Sequence, residues 1–229
     1  MTQLELFSVS SLCDSLFSLS VSHPSAFERS FFARGYQYLA GVDEAGRGPL
    51  AGPVVVCACM MVGEVALPHV MDSKLLRSDL LNSVYASLIS HPRILYAVTA
   101  IDATKIDCMN ILQATLLGMQ RAVESLRPAP QFVVVDGNKA PYFSLPVQAV
   151  VKADRFIPVV SAASIIAKCT RDHLMCLYHQ KWPEYRFDLH KGYGTAFHLE
   201  MLQRYGPSPI HRRSFHPVKQ CEKEAELFL

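Results

Sequence analysis

The stretch YLAGVDEAGRGPLAGPVVVCACMMVG, residues 38–63, decides the fold. Tyr38 to Val42 is a compact apolar run that reads as a buried strand ending at Asp43. Turn chemistry follows at once in Gly46, Gly48 and Pro49. Val54 to Val62 is a nine-residue, Val-rich run bounded by Gly52-Pro53 and Gly63, and it reads as a second buried strand.

Outward from this pair, Ile94 to Ile101 is a third strand, so three strands joined by modest connections open the fold as a meander. A short helical stretch from Ser25 to Tyr38 precedes them. Between Met109 and Leu126 the apolar positions Leu112, Leu116, Met119, Val123 and Leu126 recur at helical spacing, and Pro128 with Pro130 stops the pattern. Gln131 to Val135 and Val147 to Val151 are two further β-branched runs. Val159 to Tyr178 is a long Ala- and Ile-rich helix with Pro158 in its first turn, and Ala196 to Arg204 is a last helix before Gly206-Pro207. The order β-β-β-α-β-β-α-α implies an α/β fold, a mixed sheet with helices on its faces. Residues 1–22 are Ser- and Leu-rich without a readable period and form an appended segment to which no function is assigned.

The composition agrees with a globular chain. Of 229 residues, 50% are apolar, 18% are charged, and the 11 Gly and 14 Pro are too few for a collagen-like or disordered class. The net charge of +2 excludes a polycation, but it is unevenly spread. Residues 1–150 carry 10 Lys and Arg against 12 Asp and Glu, while residues 151–229 carry 12 against 8. The C-terminal third is therefore a candidate phosphate-facing surface. Seven Cys with no Cys-x-x-Cys pair argue against a disulfide scaffold. Cys57 and Cys59 share one strand face and read as buried thiols, and His173 with Cys176 lacks a second pair to complete a zinc site. No apolar run is long enough for a membrane span, and no Lys or Arg precedes Arg29, so the expectation is a reduced, cytoplasmic protein without a signal peptide.

Four carboxylates follow apolar runs: Asp43 and Glu44 after the first strand, Asp136 after the fourth, Asp154 after the fifth. A buried unpaired carboxylate is costly, so acids at the ends of several core strands call for a compensating charge. Carboxylates without accompanying His or Cys make a hard oxygen site suited to Mg²⁺ or Mn²⁺. Such a cluster fits two-metal phosphodiester hydrolysis. A glycosidase acid–base pair remains an alternative, as does the plain role of each acid as a turn or helix cap.

Six segments together resemble a known family: GVDEAGRGPLAGPVV at 41–55, DSK at 72–74, VVVDGN at 133–138, KADRFIPVVSAASIIAKCTRD at 152–172, HKGYGT at 190–195 and GPSPIHRRSF at 206–215. In this order they are similar to bacterial ribonuclease HII, a type 2 ribonuclease H. The resemblance implies a ribonuclease H-like mixed β-sheet flanked by helices, in a catalytic domain over residues 23–185, with a C-terminal helical extension over 186–229 that contributes to substrate binding. It implies an endoribonuclease that cuts the RNA strand of RNA–DNA hybrids and nicks at single ribonucleotides in duplex DNA, leaving 3′-hydroxyl and 5′-phosphate ends. Two divalent ions, Mg²⁺ or Mn²⁺, would be held by Asp43, Glu44, Asp136 and Asp154, with Asp43 bridging both.

By the same resemblance, Gly46, Arg47 and Gly48 match the family's reader of the ribose, and Tyr193 matches the tyrosine that stacks on the neighbouring sugar. Lys74, Lys168 and Arg171 are expected phosphate contacts, and Arg212 with Arg213 either extends that basic surface or pairs with Glu222, Glu224 and Glu226. A monomer is the default expectation. The chain departs from the family pattern in the LLR after DSK and in Ala153, where Gly is common. Arg47 separates it from the sister family ribonuclease HIII, which has Lys in that turn. A DNA nuclease of the same fold and a non-catalytic hybrid-binding protein are the competing readings.

Overall fold

The computed structural model describes residues 21–22, 25–63, 65, 67–68, 70 and 77–226. Its elements are β1 (Val21–Ser22), α1 (Ala26–Ala33), β2 (Tyr38–Ala45), β3 (Val54–Val62), β4 (Leu67–Pro68), α2 (Ser78–Ser90), β5 (Ile94–Ile101), α3 (Ala103–Met109) and α4 (Ile111–Ser125). They continue with β6 (Phe132–Asp136), β7 (Val147–Val150), a 3₁₀ turn (Ala153–Arg155), α5 (Pro158–Lys181), a second 3₁₀ turn (Pro183–Tyr185), α6 (Phe187–His190), α7 (Ala196–Tyr205) and α8 (His216–Glu226). The N-terminal segment assigned to residues 1–22 lies outside the described residues except for β1, which pairs with β4.

Five strands form one mixed sheet in the order β5-β3-β2-β6-β7. The antiparallel meander of the first three long strands stands as expected, and β6 and β7 add to it in parallel with β2. Alternation along each strand sorts the side chains onto two faces. Leu39, Cys57, Cys59 and Val134 pack under α5, α2 and α1, while Ala40, Val42, Ala58, Val133 and Val135 pack against Met119, Ala122, Val123 and Leu126 of α4 and its end. β3 is buried on both faces, which is why it reads as an unbroken apolar run.

Helix α5 approaches β2 so closely that a Cβ on Gly41 would lie 2.6 Å from backbone atoms of Val159 and Val160. Its N-terminus is tied down by Glu28, a 2% exposed carboxylate whose Oε1 accepts from the Val159 amide at 3.0 Å. The same carboxylate completes a capping box with Ser25 at the start of α1. Two helices are thus oriented by one buried acid.

Several elements differ from expectation. β2 runs on through Ala45, so Asp43 and Glu44 lie within the strand, opposite Cys57 and Val56. Helix α2 was not expected: its Ser- and Asn-rich sequence masks the period, and only Val84 and Leu88 are buried. The helix read from Met109 begins at Ile111, because Asn110 takes a left-handed φ of 69° and caps α4 with its side chain. Met119, Val123 and Leu126 are in the core, while Leu112 and Leu116 are only half-buried. Helices α3, α6 and α8 are also additional. Among the described residues no helix is long and apolar enough to cross a membrane.

Candidate active site

The register between β2 and β6 sets Val42 beside Val135, so the next residues, Asp43 and Asp136, lie side by side where the pairing of these two strands ends. Both follow the parity of Leu39 and Val134 and therefore face α5. Because these two strands are parallel, their carboxyl ends share one sheet edge, the usual place for a ligand site in an open sheet. β7 ends at that edge too, and Asp154 follows it in the 3₁₀ turn, 7% exposed, with its carbonyl accepting from the Ser161 hydroxyl.

Asp43 is 6% exposed and accepts the Glu44 amide at 2.7 Å. Burial, the charge of Glu44 and the charge of Asp136 push its carboxyl up to about 8, against a hydrogen bond from Ser164. Glu44 is raised in the same direction by burial and by Asp136, and Arg47 opposes this with Nη1 at 3.2 Å from Oε1. The other Glu44 oxygen, Oε2, is buried without a hydrogen-bond partner. The structure thus brings Asp43, Glu44 and Asp136 into mutual repulsion, which a divalent cation would relieve. Asp154 reaches the same edge one strand further on. Among the described residues no three or more His, Cys, Asp or Glu side chains are already drawn together as a cage, and this includes the pair His173 and Cys176.

A cleft of about 400 Å³ opens beside the acids, with Glu44, Gly46, Arg47, Gly48, Lys168 and Tyr193 in its wall. Gly46 has φ +92°, and a Cβ there would meet Arg171 Nε at 1.9 Å, so the turn needs glycine on both counts. Gly48 is exposed, and a Cβ on it would stand 3.7 Å from the Tyr193 ring. Tyr193 is 52% exposed, with the Arg171 guanidinium 6.0 Å from its centroid.

Two buried arginines hold the turn from beneath. Arg212 donates to the carbonyls of Gly46 at 2.6 Å, Arg47 at 2.8 Å and Gly52 at 3.0 Å. Arg171 donates to Pro53 at 3.0 Å and Ala51 at 3.1 Å. This corrects two expectations. Arg171, read as a phosphate contact, is 2% exposed and committed to the main chain, and Arg212, read as basic surface or a partner of the acidic tail, is fully buried. Lys168 is exposed as expected but pairs with Asp172 at 2.6 Å. Lys74 lies outside the described residues.

Two cleft residues were not singled out from the sequence. Ser164 faces Asp43 from α5. Lys191 donates to the Asp188 carbonyl at 2.7 Å and to Cys176 Sγ at 3.2 Å. Both lie inside quoted motifs, and the signal available was their spacing, Lys191 two before Tyr193 and Ser164 one turn after Val160.

Fold and cleft together define a protein of the ribonuclease H class. The crystal structure of ribonuclease H2 from Pyrococcus horikoshii OT3 superimposes with a TM-score of 0.66 at 30% identity, over 82% of this chain and 99% of that one. The fold is shared with a Bst-RNase HIII solved in complex with Mn²⁺, with a TM-score of 0.62 at 20% identity over 84% of this chain and 71% of that one. The family described as Ribonuclease HII matches residues 40–218, and the chain belongs to that family of ribonuclease H enzymes. Ribonuclease HII of Bordetella avium is 47% identical over 183 residues, 80% of this chain and 90% of that protein. Ribonuclease HII of Chlamydia pneumoniae is 44% identical over 195 residues, 85% and 91% of the two chains.

Proposed function

We propose that this ribonuclease H cuts the RNA strand of RNA–DNA hybrids and also nicks duplex DNA at a single embedded ribonucleotide, using two divalent ions, Mg²⁺ or Mn²⁺. The observation that carries this is the pairing of a repelling carboxylate trio, one oxygen of which lacks a hydrogen-bond partner, with a glycine turn and an exposed tyrosine in the adjoining cleft. Asp43, Glu44 and Asp136 would hold the ions, joined by Asp154 from the neighbouring turn. Ions held there would supply a water of lowered pKa and charge for the leaving oxygen, chemistry that would leave 3′-hydroxyl and 5′-phosphate ends.

The chain's own residues do the selecting. Gly46 and Gly48 let the main chain come close to a sugar, and a 2′-hydroxyl, both donor and acceptor, is what distinguishes ribose there. Tyr193 offers a flat face beside that position for the neighbouring sugar. Arg47 and Lys168, exposed at the rim, meet backbone phosphates as positioning charges. Residues 23–185 carry the chemistry in this assignment, and residues 186–229 contribute to substrate binding.

The test is a duplex DNA with one embedded ribonucleotide, incubated with Mg²⁺ or Mn²⁺ and then with EDTA. A nick at the embedded ribonucleotide with 3′-hydroxyl and 5′-phosphate ends, abolished by the chelator, is the expected result. An uncut duplex in both metals, beside a cut long hybrid, would overturn the single-ribonucleotide reading alone.

A further inference from the structure

Three histidines of the C-terminal extension, two of them buried and His190 half-buried, form a chain that the chemistry above does not use. His198 and His211 are 0% and 2% exposed, and their Nε2 atoms lie 3.0 Å apart. Two nitrogens at that distance share one proton, and their other neighbours decide which ring carries it. The Ser208 amide donates to His211 Nδ1 at 2.9 Å, so that nitrogen is bare and the proton of His211 sits on Nε2. His198 Nδ1 lies 2.9 Å from the Tyr193 carbonyl, which only accepts, so His198 is protonated there and its Nε2 is the acceptor. The whole sequence of donors therefore runs one way, from Ser208 through His211 and His198 to the main chain of Tyr193.

Both ends of this sequence are tied to segments that continue into the cleft wall. His211 forms a β-bridge with Ala51, three residues after Gly48. At the other end His190 stacks on His198 at 4.4 Å, takes the Gly192 amide on Nδ1 at 3.1 Å, and its own carbonyl accepts the Tyr193 amide at 2.9 Å. Burial keeps both central imidazoles neutral, with His198 pushed down to about 4 and His211 to about 3.

We propose that the His211–His198 pair is a positioning relay for Tyr193: it fixes the tyrosine's main chain relative to Gly48, and so sets the gap into which the sugar beside a lone ribonucleotide fits. The half-exposed ring itself has Gly48 and Arg171 as its cleft neighbours, so its place depends on its backbone. The relay rests on the single-ribonucleotide reading given above, and the experiments separate the two.

His198→Phe keeps the ring shape and removes both bonds. It is expected to lower kcat/KM about tenfold on a duplex with one ribonucleotide, mainly through KM, as the loss of the bond to the Tyr193 carbonyl would, with little change on a long hybrid. His198→Asn, whose amide can donate to the Tyr193 carbonyl, should restore most of that loss. In a Tyr193→Ala background His198→Phe should have no further effect. Equal losses on both substrates, or additive losses in the double variant, overturn the relay. Imidazole ¹⁵N spectra of the unmodified protein should show His198 protonated on Nδ1 and His211 on Nε2, and the opposite tautomers overturn it whatever the activity. Should the protein cut no single-ribonucleotide duplex, amide exchange over residues 190–195 decides: faster exchange in His198→Phe supports the relay, and unchanged exchange overturns it.

Discussion

Asp43 is the residue at which stability and the proposed metal binding oppose each other. Its carboxyl is pushed from 3.8 up to about 8 by burial and by its acidic neighbours. A folded pKa above the unfolded one means that Asp43 is harmless below pH 4 and increasingly destabilising as pH rises toward 8. Asp43→Asn should therefore raise the melting temperature of the metal-free protein, and more at pH 8 than at pH 5. The same change should reduce cleavage at saturating Mg²⁺ by at least about a hundredfold, since a ligand charge worth several kcal/mol is lost. Calorimetry at both pH values beside single-turnover rates checks this, and a variant as active as the parent removes Asp43 from the site. The acids were legible in the sequence because each interrupts an apolar run. Arg171 and Arg212 were not, because a buried guanidinium satisfied by main-chain carbonyls leaves no mark in the sequence that separates it from a surface charge.

Among the elements, α5 matters most, because it carries Ser164, Lys168 and Arg171 and presses on β2 where β2 has no side chain. Gly41→Ala would drive a methyl group to 2.6 Å from the Val159 and Val160 main chain, with a rigid helix on one side and a central strand on the other. The expected cost is about 1–3 kcal/mol, the usual range for overpacking, read as a lower urea midpoint at unchanged slope. An unchanged midpoint shows that the helix can withdraw. The long strands and α5 were readable from periodicity, since buried runs of this length have few alternatives. Helix α2 escaped because serines fill its outer face, and the extent of β2 escaped because Asp and Glu are poor strand formers held there by pairing with β3.

At the scale of the whole molecule, acid should loosen the C-terminal extension first. His198 and His211 stay neutral when folded, at about 4 and about 3, against 6.5 when unfolded. The unfolded chain thus binds protons that the folded one refuses, and stability declines as pH falls from 6.5 toward 4. His190, and Arg213 on the His211 side, are like charges that help hold these values down, while Tyr185 is neutral throughout the range. Urea midpoints between pH 7 and 4.5 should fall in the parent and fall less in His198→Phe. Parallel curves would mean that other groups govern acid unfolding.

The Ala51–His211 bridge, the bond from the Leu50 amide to the Gly192 carbonyl and the Arg212 fork all cross from the chain's first quarter to its last. The glycine-turn wall of the cleft is accordingly a seam closed only after most of the polypeptide has emerged. A fragment ending before residue 190 contains the five long strands, the acids and Arg171, but lacks the ties that Gly192, His211 and Arg212 add to the glycine turn. Under the proposed reading of that turn, selectivity for ribose would then be the last property the chain acquires during synthesis.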